Sequence, residues 1–158
     1  MSQPLAGVDR GSVAWRLIWR AGYRLIRFLD PLIRRAWRAG TPPLRRVVEL
    51  EVVGRRTGRP RQIIVTGLTI DGAAYVGHPN GDAGWTRNVE SAGLVRVVSW
   101  DGSARQMRAV RLGGGPERES VIRATWSQQP FPANLLYSAA RGHVRRVGVY
   151  FRLEPTAD

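Results

Sequence analysis

Two runs rich in Val and Ile, residues 47–53 and 62–70, constrain the fold more than any other part of the chain. Neither run has the three-and-four spacing of apolar residues that is typical of a helix, so both are predicted to be strands. The residues between them, 54–61, include two glycines and a proline and are predicted to form a tight connection. The sequence therefore predicts a sheet with a short loop joining its first two strands.

The loop at residues 54–61 has the composition of an anion-binding turn. Gly54 and Gly58 allow positive φ angles and a close approach of the backbone to a ligand. Thr57 adds a hydroxyl group, and planar guanidinium groups suit the oxygens of a phosphate or a carboxylate. The loop carries four arginines: Arg55, Arg56, Arg59 and Arg61. A phosphorylated, acidic ligand would fit this loop, and the alternative is a solvated, positively charged turn.

The chain is strongly basic. Its 158 residues include 25 basic residues, all of them arginine, against 12 acidic residues, which gives a formal net charge of +13. The absence of lysine and cysteine excludes Schiff-base chemistry, thiolate metal sites and cysteine nucleophiles. The charge favours nucleic acid, anionic lipid or an acidic small molecule as a partner. Specific nucleic-acid binding is not expected, because aromatic residues do not alternate with arginines on a predicted sheet face.

Residues 12–38 are predicted to form a basic, amphipathic helix. Apolar residues recur there at spacings of three and four: Trp15, Ile18, Trp19, Leu25, Ile26, Leu29, Leu32, Ile33 and Trp37. An opposing stripe holds Arg16, Arg20, Arg24 and Arg27. The Asp30-Pro31 pair is expected to break or bend the helix, since a residue before proline avoids helical angles. The helix either packs on the rest of the protein or lies in a membrane interface, and one face can do each.

Residues 1–43 are interpreted as this helix and a linker, and residues 44–158 as the main domain. No apolar run is long enough to cross a bilayer, and arginines interrupt every candidate signal-peptide core. We therefore expect a cytoplasmic protein, in which residues 12–38 are the segment suited to contact the inner face of the cell membrane.

The main domain is predicted to be rich in strands. Hairpin turns are expected at Asp71-Gly72 and Asp101-Gly102. Further strands are predicted at residues 73–77, 95–100, 103–112 and 147–153, helices at 83–92 and 117–127, and a short helix or loop at 130–140. Five or six mostly antiparallel strands with flanking helices predict a single-domain α+β protein built on a small, partly open barrel.

The sequence assigns no catalytic residue. His78 and His143 are the only histidines, and no cluster of histidines and acids has metal-ligand spacing, so no metal site is expected. No serine lies in a nucleophile elbow, and no GxGxxG motif follows a strand. If the protein is an enzyme, its chemistry is expected to belong to a bound cofactor.

Two motifs resemble those of a known family. One is the loop at residues 54–61 with its following strand and hairpin, and the other is residues 77–88, which end in Trp85-Thr86-Arg87-Asn88. In this order they resemble the deazaflavin (F420)-dependent nitroreductase and quinone reductase family over residues 47–112. The resemblance implies a split β-barrel that binds coenzyme F420, with FMN as the alternative cofactor. It also implies hydride transfer from the reduced deazaflavin ring to a quinone, a nitroaromatic or a similar electron-poor acceptor.

The resemblance implies a set of residues for the anionic part of the cofactor, which carries a phosphate and a tail of glutamates. The phosphate would be bound through charge-assisted hydrogen bonds by Arg55, Arg56, Thr57 and Arg61. Arg59 would lie toward the acidic tail.

The resemblance also implies two segments on either side of the deazaflavin ring. One segment holds Ile63, Ile64 and Val65, and the other holds Gly77, His78, Pro79 and Asn80. Trp85 and Asn88 occupy the family's Trp-x-x-Asn positions, where Trp85 would pack its helix on the barrel and Asn88 would bond the cofactor or the loop.

Residues 77–84 depart from the family pattern, which has a Ser- and Gly-rich stretch with a basic residue there. His78 is either a donor to a ring carbonyl or phosphate or a structural residue. Three aromatic residues of the C-terminal third are candidates for a substrate pocket or for the core: Trp126, Phe131 and Tyr137. The alternative function is a non-catalytic carrier of F420, flavin or lipid with the same fold, and the protein is expected to be a monomer or a homodimer.

Overall fold

The computed structural model describes residues 10–157, with side chains described from residue 13 onward. The strands are β1 Val47–Val53, β2 Pro60–Thr66, β3 Leu68–Ile70, β4 Ala73–His78, β5 Leu94–Val98, β6 Ala104–Arg111 and β7 Val149–Pro155. The helices are α1 Arg10–Arg38, α2 Gly84–Ala92, α3 Pro116–Gln128, α4 Ala133–Ala139 and α5 Arg141–Val147, with a short 3-10 helix at Pro42–Leu44. All strands belong to one antiparallel sheet with the order β2-β1-β5-β6-β7-β4-β3.

The sheet curls into a barrel that stays open along one line. β2 and β3 are joined by a single residue, Gly67, yet they lie at opposite edges of the sheet. The two edges must therefore approach each other at Gly67, while the described strands show no pairing between β2 and β3. The Gly67 N–H donates to the Arg46 carbonyl oxygen at 2.7 Å, and a Cβ atom there would lie only 3.1 Å from that oxygen.

The α+β class and the antiparallel barrel are confirmed, but the strand count is seven rather than five or six. The difference arises because the predicted strand at residues 62–70 is two strands that leave the sheet at Gly67 and rejoin it at the other edge. Residues 130–148 hold the helices α4 and α5, so the last strand begins at Val149. The local pattern of apolar residues does not show that the chain passes from one edge of the sheet to the other, because the residues on both sides of Gly67 are equally suited to a strand.

The helix α1 is not broken at the Asp30-Pro31 pair and continues through Pro31. Arg34 pairs with Asp30 at 2.7 Å and also with Glu49 of β1, which ties the helix to the barrel. Trp37 adds a hydrogen bond from its indole nitrogen to the Val47 carbonyl oxygen at 2.8 Å. These tertiary contacts outweigh the backbone hydrogen bond that proline removes.

Two apolar clusters stabilise the fold. The barrel interior contains Leu50, Val52, Val76, Val89, Val95, Ala109, Val149, Phe151 and Leu153. The second cluster joins the helices to the outside of β3, β4 and β7 and contains Trp19, Leu68, Tyr75, Val121, Ile122, Tyr137, Ala140, Val144 and Tyr150. Successive residues of a strand point to opposite faces, so Val76 enters the barrel while Tyr75 meets the helices.

Candidate anion and cofactor site

The arginine loop is a compact turn between β1 and β2. The Gly54 N–H donates to the Arg59 carbonyl oxygen at 2.9 Å, and the Gly58 N–H donates to the Gly54 carbonyl oxygen at 2.8 Å. Gly58 has a φ of +65°, which favours glycine. A Cβ atom on Gly54 would lie 3.0 Å from the Thr57 hydroxyl oxygen and 3.2 Å from the Arg59 carbonyl oxygen. The backbone of the turn therefore favours glycine at position 58, and a side chain at position 54 would crowd the turn.

A cavity of about 250 Å³ lies between this loop and the start of α2. Its lining consists of Gly54, Arg55, Arg56, Thr57, Arg61, Gly84 and Asn88. The lining contains three arginines and no acidic residue, and the N-terminal end of α2 adds the partial positive charge of its unpaired N–H groups. The cavity therefore favours a small anionic group such as a phosphate.

Asn88 of α2 fixes the position of the loop. Its side-chain oxygen accepts hydrogen bonds from the Arg55 backbone N–H at 3.2 Å and from the Arg55 guanidinium at 3.1 Å. The same guanidinium group donates to the Gly84 carbonyl oxygen at 3.3 Å. Asn88 thus bonds the loop, and Arg55 connects the loop to α2, which leaves Arg56 and Arg61 as the cavity's other cations.

The side chains of β2 divide between the two faces of the barrel wall. Arg61, Ile63 and Val65 lie opposite Val52, Leu50 and Val48 of β1, so they are on the inner face. Ile63 and Val65 pack against the interior cluster. Ile64 lies opposite Glu49 and is on the outer face. The predicted ring-binding residues Ile63 and Val65 are thus on the same face as Arg61, and Ile64 is separated from them by the strand.

His78 is buried between two other elements. Its ring stacks on Tyr23 of α1, with centroids 4.9 Å apart and an interplanar angle of 19°, and it meets Trp85 of α2 edge-on at 6.1 Å. The His78 Nδ1 atom is 2.8 Å from the Gly81 carbonyl oxygen. Burial lowers the pKa of His78, and the Gly81 carbonyl and the Asp82 charge oppose this shift less strongly. His78 is therefore neutral near pH 7.

The other residues of this segment also contact the protein itself. The Asn80 side-chain oxygen lies 2.8 Å from His143 Nε2, and Pro79 is buried. Gly77 lies opposite Tyr150, whose ring would be 2.2 Å from a Cβ atom at that position. Trp85 follows Gly84 and reaches Phe151 of the barrel interior at 6.4 Å, so Trp85 connects this segment with the wall of the cavity.

Tyr23 is the contact that sequence reasoning missed. It lies four residues after Trp19 and stacks on that ring at 6.0 Å as well as on His78. The helical spacing of these two aromatic residues was the available indication, because residues four apart share a helix face. The contact with His78 joins residues that are far apart in the sequence, so no local sequence pattern indicates it.

The three C-terminal aromatic residues are not gathered in one pocket. Tyr137 is buried and packs edge-on against Trp19 at 4.9 Å, and Phe131 is 76% exposed. Trp126 lies beneath the guanidinium groups of Arg141 and Arg145, at 5.1 and 5.9 Å from the ring centroid. Neither of the two cavities described for this protein is lined by any of the three.

The second cavity, of about 460 Å³, lies at the split of the barrel near the start of β1. Its walls are mainly apolar and its rim is basic, with the lining residues Arg45, Arg46, Val48, Gly67, Leu68, Thr69, Ala74, Tyr75, Val76 and Leu153. It lies at the opposite end of β1 from the arginine loop. No group of histidines and acids that suits a metal ion occurs within the described residues.

Solved structures match this architecture at low sequence identity. An F420-H2-dependent reductase, FDR-A, matches with a TM-score of 0.54 and 20% identity over 70% of this chain and 95% of that chain. HutZ, a heme storage protein from Vibrio cholerae, matches with a TM-score of 0.55 and 18% identity over 82% and 92%. A structure described as a domain-swapped dimer matches with a TM-score of 0.51 and 17% identity over 85% and 99%. This chain is a split β-barrel.

No family model and no curated protein sequence matches this split barrel. Its structural relatives include a reductase and a heme storage protein, so the shared barrel does not select one ligand.

Proposed function

We propose that this protein is an F420-dependent oxidoreductase whose anionic cofactor is bound at the arginine loop. The observation that carries the proposal is the cavity at residues 54–61, which is lined by arginines, lacks any acidic residue and adjoins the N-terminal end of α2. Phosphate is the group that such a combination of guanidinium groups and helix N–H groups binds well. The fold shared with an F420-H2-dependent reductase supports the same cofactor class.

The residues of the loop would have different roles in binding the cofactor. Arg56, Arg61 and Thr57 would bind the phosphate directly, since they line the cavity. Arg55 would contribute charge and keep the loop on α2 through its bonds to Asn88 and Gly84. Arg59 is exposed and does not line the cavity, so it would meet the acidic tail instead.

The ring would lie beyond Arg61, against the part of Ile63 and Val65 that stays accessible, since both are only half-buried by the interior cluster. Residues 77–80 and Trp85 would form the opposite boundary, and Ile64 would support the wall from its outer face. Because Tyr23 covers one face of His78, contact between that face and a ring requires α1 to withdraw. His78 is neutral, so it would act as a hydrogen-bonding and packing group rather than as a cation.

Reduced F420 supplies a hydride, which an electron-poor acceptor such as a quinone or nitroaromatic would receive. The chain's own contribution is to bind, orient and shield the reactants, and no residue is assigned a covalent role. A quinone acceptor resides in a bilayer, so we place the enzyme in the cytoplasm at the inner face of the cell membrane. The match to a domain-swapped dimer supports a homodimer over a monomer.

Equilibrium binding of F420 and of FMN tests the proposed site. The variant Arg56→Ala/Arg61→Ala removes two cavity cations, and Arg105→Ala/Arg108→Ala removes the same charge from exposed positions of β6. Hydrogen bonds to charged groups are worth about 1.5–3 kcal/mol each, so the first variant should bind F420 about 100-fold more weakly or worse. The second variant should bind like the parent. Equal affinities of the two variants would overturn the site, and tighter binding of FMN would reassign the cofactor.

A non-catalytic carrier is the second candidate function. The observation that favours it is the larger apolar cavity with Arg45 and Arg46 at its rim, which suits an amphipathic ligand, together with the shared fold of a heme storage protein. Oxidation of reduced F420, followed with a panel of quinones and nitroaromatics after binding is established, separates the two. Binding without turnover by any acceptor would favour the carrier.

A further inference from the structure

The helix α1 has two apolar faces, and only one of them packs on the barrel. The inner face is formed by residues that are buried or half-buried: Trp15, Trp19, Tyr23, Ile33 and Trp37. Leu29 is half-buried, and the other large apolar residues are exposed by 45–82% of their surface: Val13, Leu17, Ile18, Leu25, Ile26, Phe28 and Leu32. Some apolar residues of α1 are therefore buried against the rest of the protein, and others are exposed on its surface.

Four of the exposed large apolar residues form a continuous row. With Ala21, the positions of Leu17, Leu25, Phe28 and Leu32 follow spacings of four, four, three and four, which places all of them on one side of a helix. The row extends over about 22 Å at 1.5 Å per residue. Phe28 at its centre is 82% exposed, the largest exposed fraction among the large apolar residues described. A continuous apolar row of this length on a surface marks an interaction site.

An arginine row flanks the apolar row. At 100° per residue, its members lie about a third of a turn from the apolar row, between that row and the face that packs on the barrel: Arg16, Arg20, Arg24, Arg27 and Arg38. Residues 13–38 contain seven arginines against the single acid Asp30, a net charge of 7 − 1 = +6. Asp30 is paired with Arg34 rather than with the arginine row. The surface thus combines an apolar strip with a dense positive edge.

We propose that the outer face of α1 docks in the interface of an anionic lipid bilayer, with the Leu-Phe row in the acyl boundary and the arginine row at the headgroups. An apolar strip beside a basic strip is the pattern that lies in such an interface. None of the described helices is long and apolar enough to cross a bilayer. A second copy of this chain is a poorer occupant, because self-association of this face brings two strongly basic helices together. The proposal rests on α1 alone and is independent of the cofactor.

Binding of the full chain to vesicles of phosphatidylcholine, with and without phosphatidylglycerol, tests the docking. The variant Leu25→Ser/Phe28→Ser/Leu32→Ser changes only exposed positions of the row. Its matched control, Leu94→Ser/Phe131→Ser/Leu135→Ser, removes three exposed apolar side chains outside α1. We expect the parent and the control to bind anionic vesicles at least tenfold more strongly than neutral ones, and the α1 variant to lose at least tenfold of that binding. Circular dichroism should show the same helix content for all three proteins.

Two further measurements make the result decisive. Arg20→Ala/Arg24→Ala should reduce the preference for anionic vesicles, and raised salt should weaken the parent in the same direction. Light scattering should give the same mass for the parent and the α1 triple variant in the absence of vesicles. Equal vesicle binding by the α1 variant and its control would overturn the proposal. A change from dimer to monomer in the α1 variant would also overturn it, because the face would then belong to a second copy.

Discussion

Tyr23 of α1 stacks on His78 at the end of β4, with ring centroids 4.9 Å apart and ring planes 19° from parallel. Trp85 of α2 meets the same imidazole edge-on, so three elements separated in sequence converge on His78. Trp85 adjoins Gly84 at the wall of the cationic cavity. The N-terminal helix and the candidate cofactor site are therefore joined through one buried histidine.

Removal of the Tyr23 ring should loosen α1 from the barrel. Tyr23→Ala is expected to lower the free energy of unfolding by about 3 kcal/mol, the lower end of the range for truncating a packed aromatic side chain, because Tyr23 is only partly buried. Tyr23→Phe keeps both ring contacts and loses the hydrogen bond to Tyr137, so it should cost about 1 kcal/mol. Urea unfolding measures both. Equal losses in the two variants would show that the stacking contributes little.

Stability should depend on pH through His78. Burial holds the pKa of His78 below its usual range in the folded protein, while the unfolded chain titrates near the ordinary value of about 6.5. Between the folded and the unfolded pKa, the unfolded state therefore binds more protons than the folded state. The contribution of His78 to the free energy of unfolding is fully present above about pH 6.5, and it declines as the pH falls from there toward the lower folded pKa. His78→Phe should flatten the dependence of the free energy of unfolding on pH below about pH 6.5, measured by urea unfolding at a series of pH values. A slope as steep in the variant as in the parent would assign the effect to other groups.

A side chain at Gly77 should collide with Tyr150. The Cβ atom of Gly77→Ala would lie 2.2 Å from the tyrosine ring, which is itself buried, so we expect a loss of about 3 kcal/mol or more in unfolding free energy. Gly113→Ala is the matched control, because no atom lies within 4 Å of its added Cβ and its backbone has no positive φ. That control should stay within about 0.5 kcal/mol of the parent. Thermal unfolding of the two variants is a sufficient measurement.

The contact between Arg34 and Glu49 should couple α1 to β1. Glu49 is 7% exposed, and loss of its partner in Arg34→Met leaves a buried carboxylate, at an expected cost of about 3 kcal/mol. Glu49→Gln is the reciprocal change. A double-mutant cycle measured by urea unfolding should give a double variant less destabilised than the sum of the single variants. Strict additivity would indicate that the two charges act independently.

Asn88 should influence cofactor affinity through the loop. Asn88→Ala removes the acceptor of two hydrogen bonds from Arg55, so the loop should become less ordered and F420 should bind about tenfold more weakly. Asn134→Ala, at the start of α4, removes an asparagine remote from the cavity and should leave the affinity unchanged. Isothermal titration of the two variants checks this. The same affinity in both would remove Asn88 from the proposed site.

Local patterns were sufficient for much of the main domain. The β-branched run of β1, the Asp-Gly turn before β4 and the proline at the start of α3 each specify their element within a few residues. The arginine loop could also be predicted from the sequence, because a tight turn with glycines and guanidinium groups is a local property. The opening of the barrel could not be predicted in this way. Gly67 separates two strands, and nothing in the residues of either strand indicates that they lie on opposite edges of the sheet.

The amphipathic, basic character of α1 and the cationic turn after β1 follow from the order of the residues alone. Three features appear only in the folded chain: the choice of the apolar face of α1 that is buried, the hydrogen bond between Asn88 and Arg55 across 33 positions, and the stacking of Tyr23 on His78. The physical reason is that periodicity describes each element relative to its own axis. Which face is buried depends on the surface that another element presents, and that surface exists only after the chain has folded.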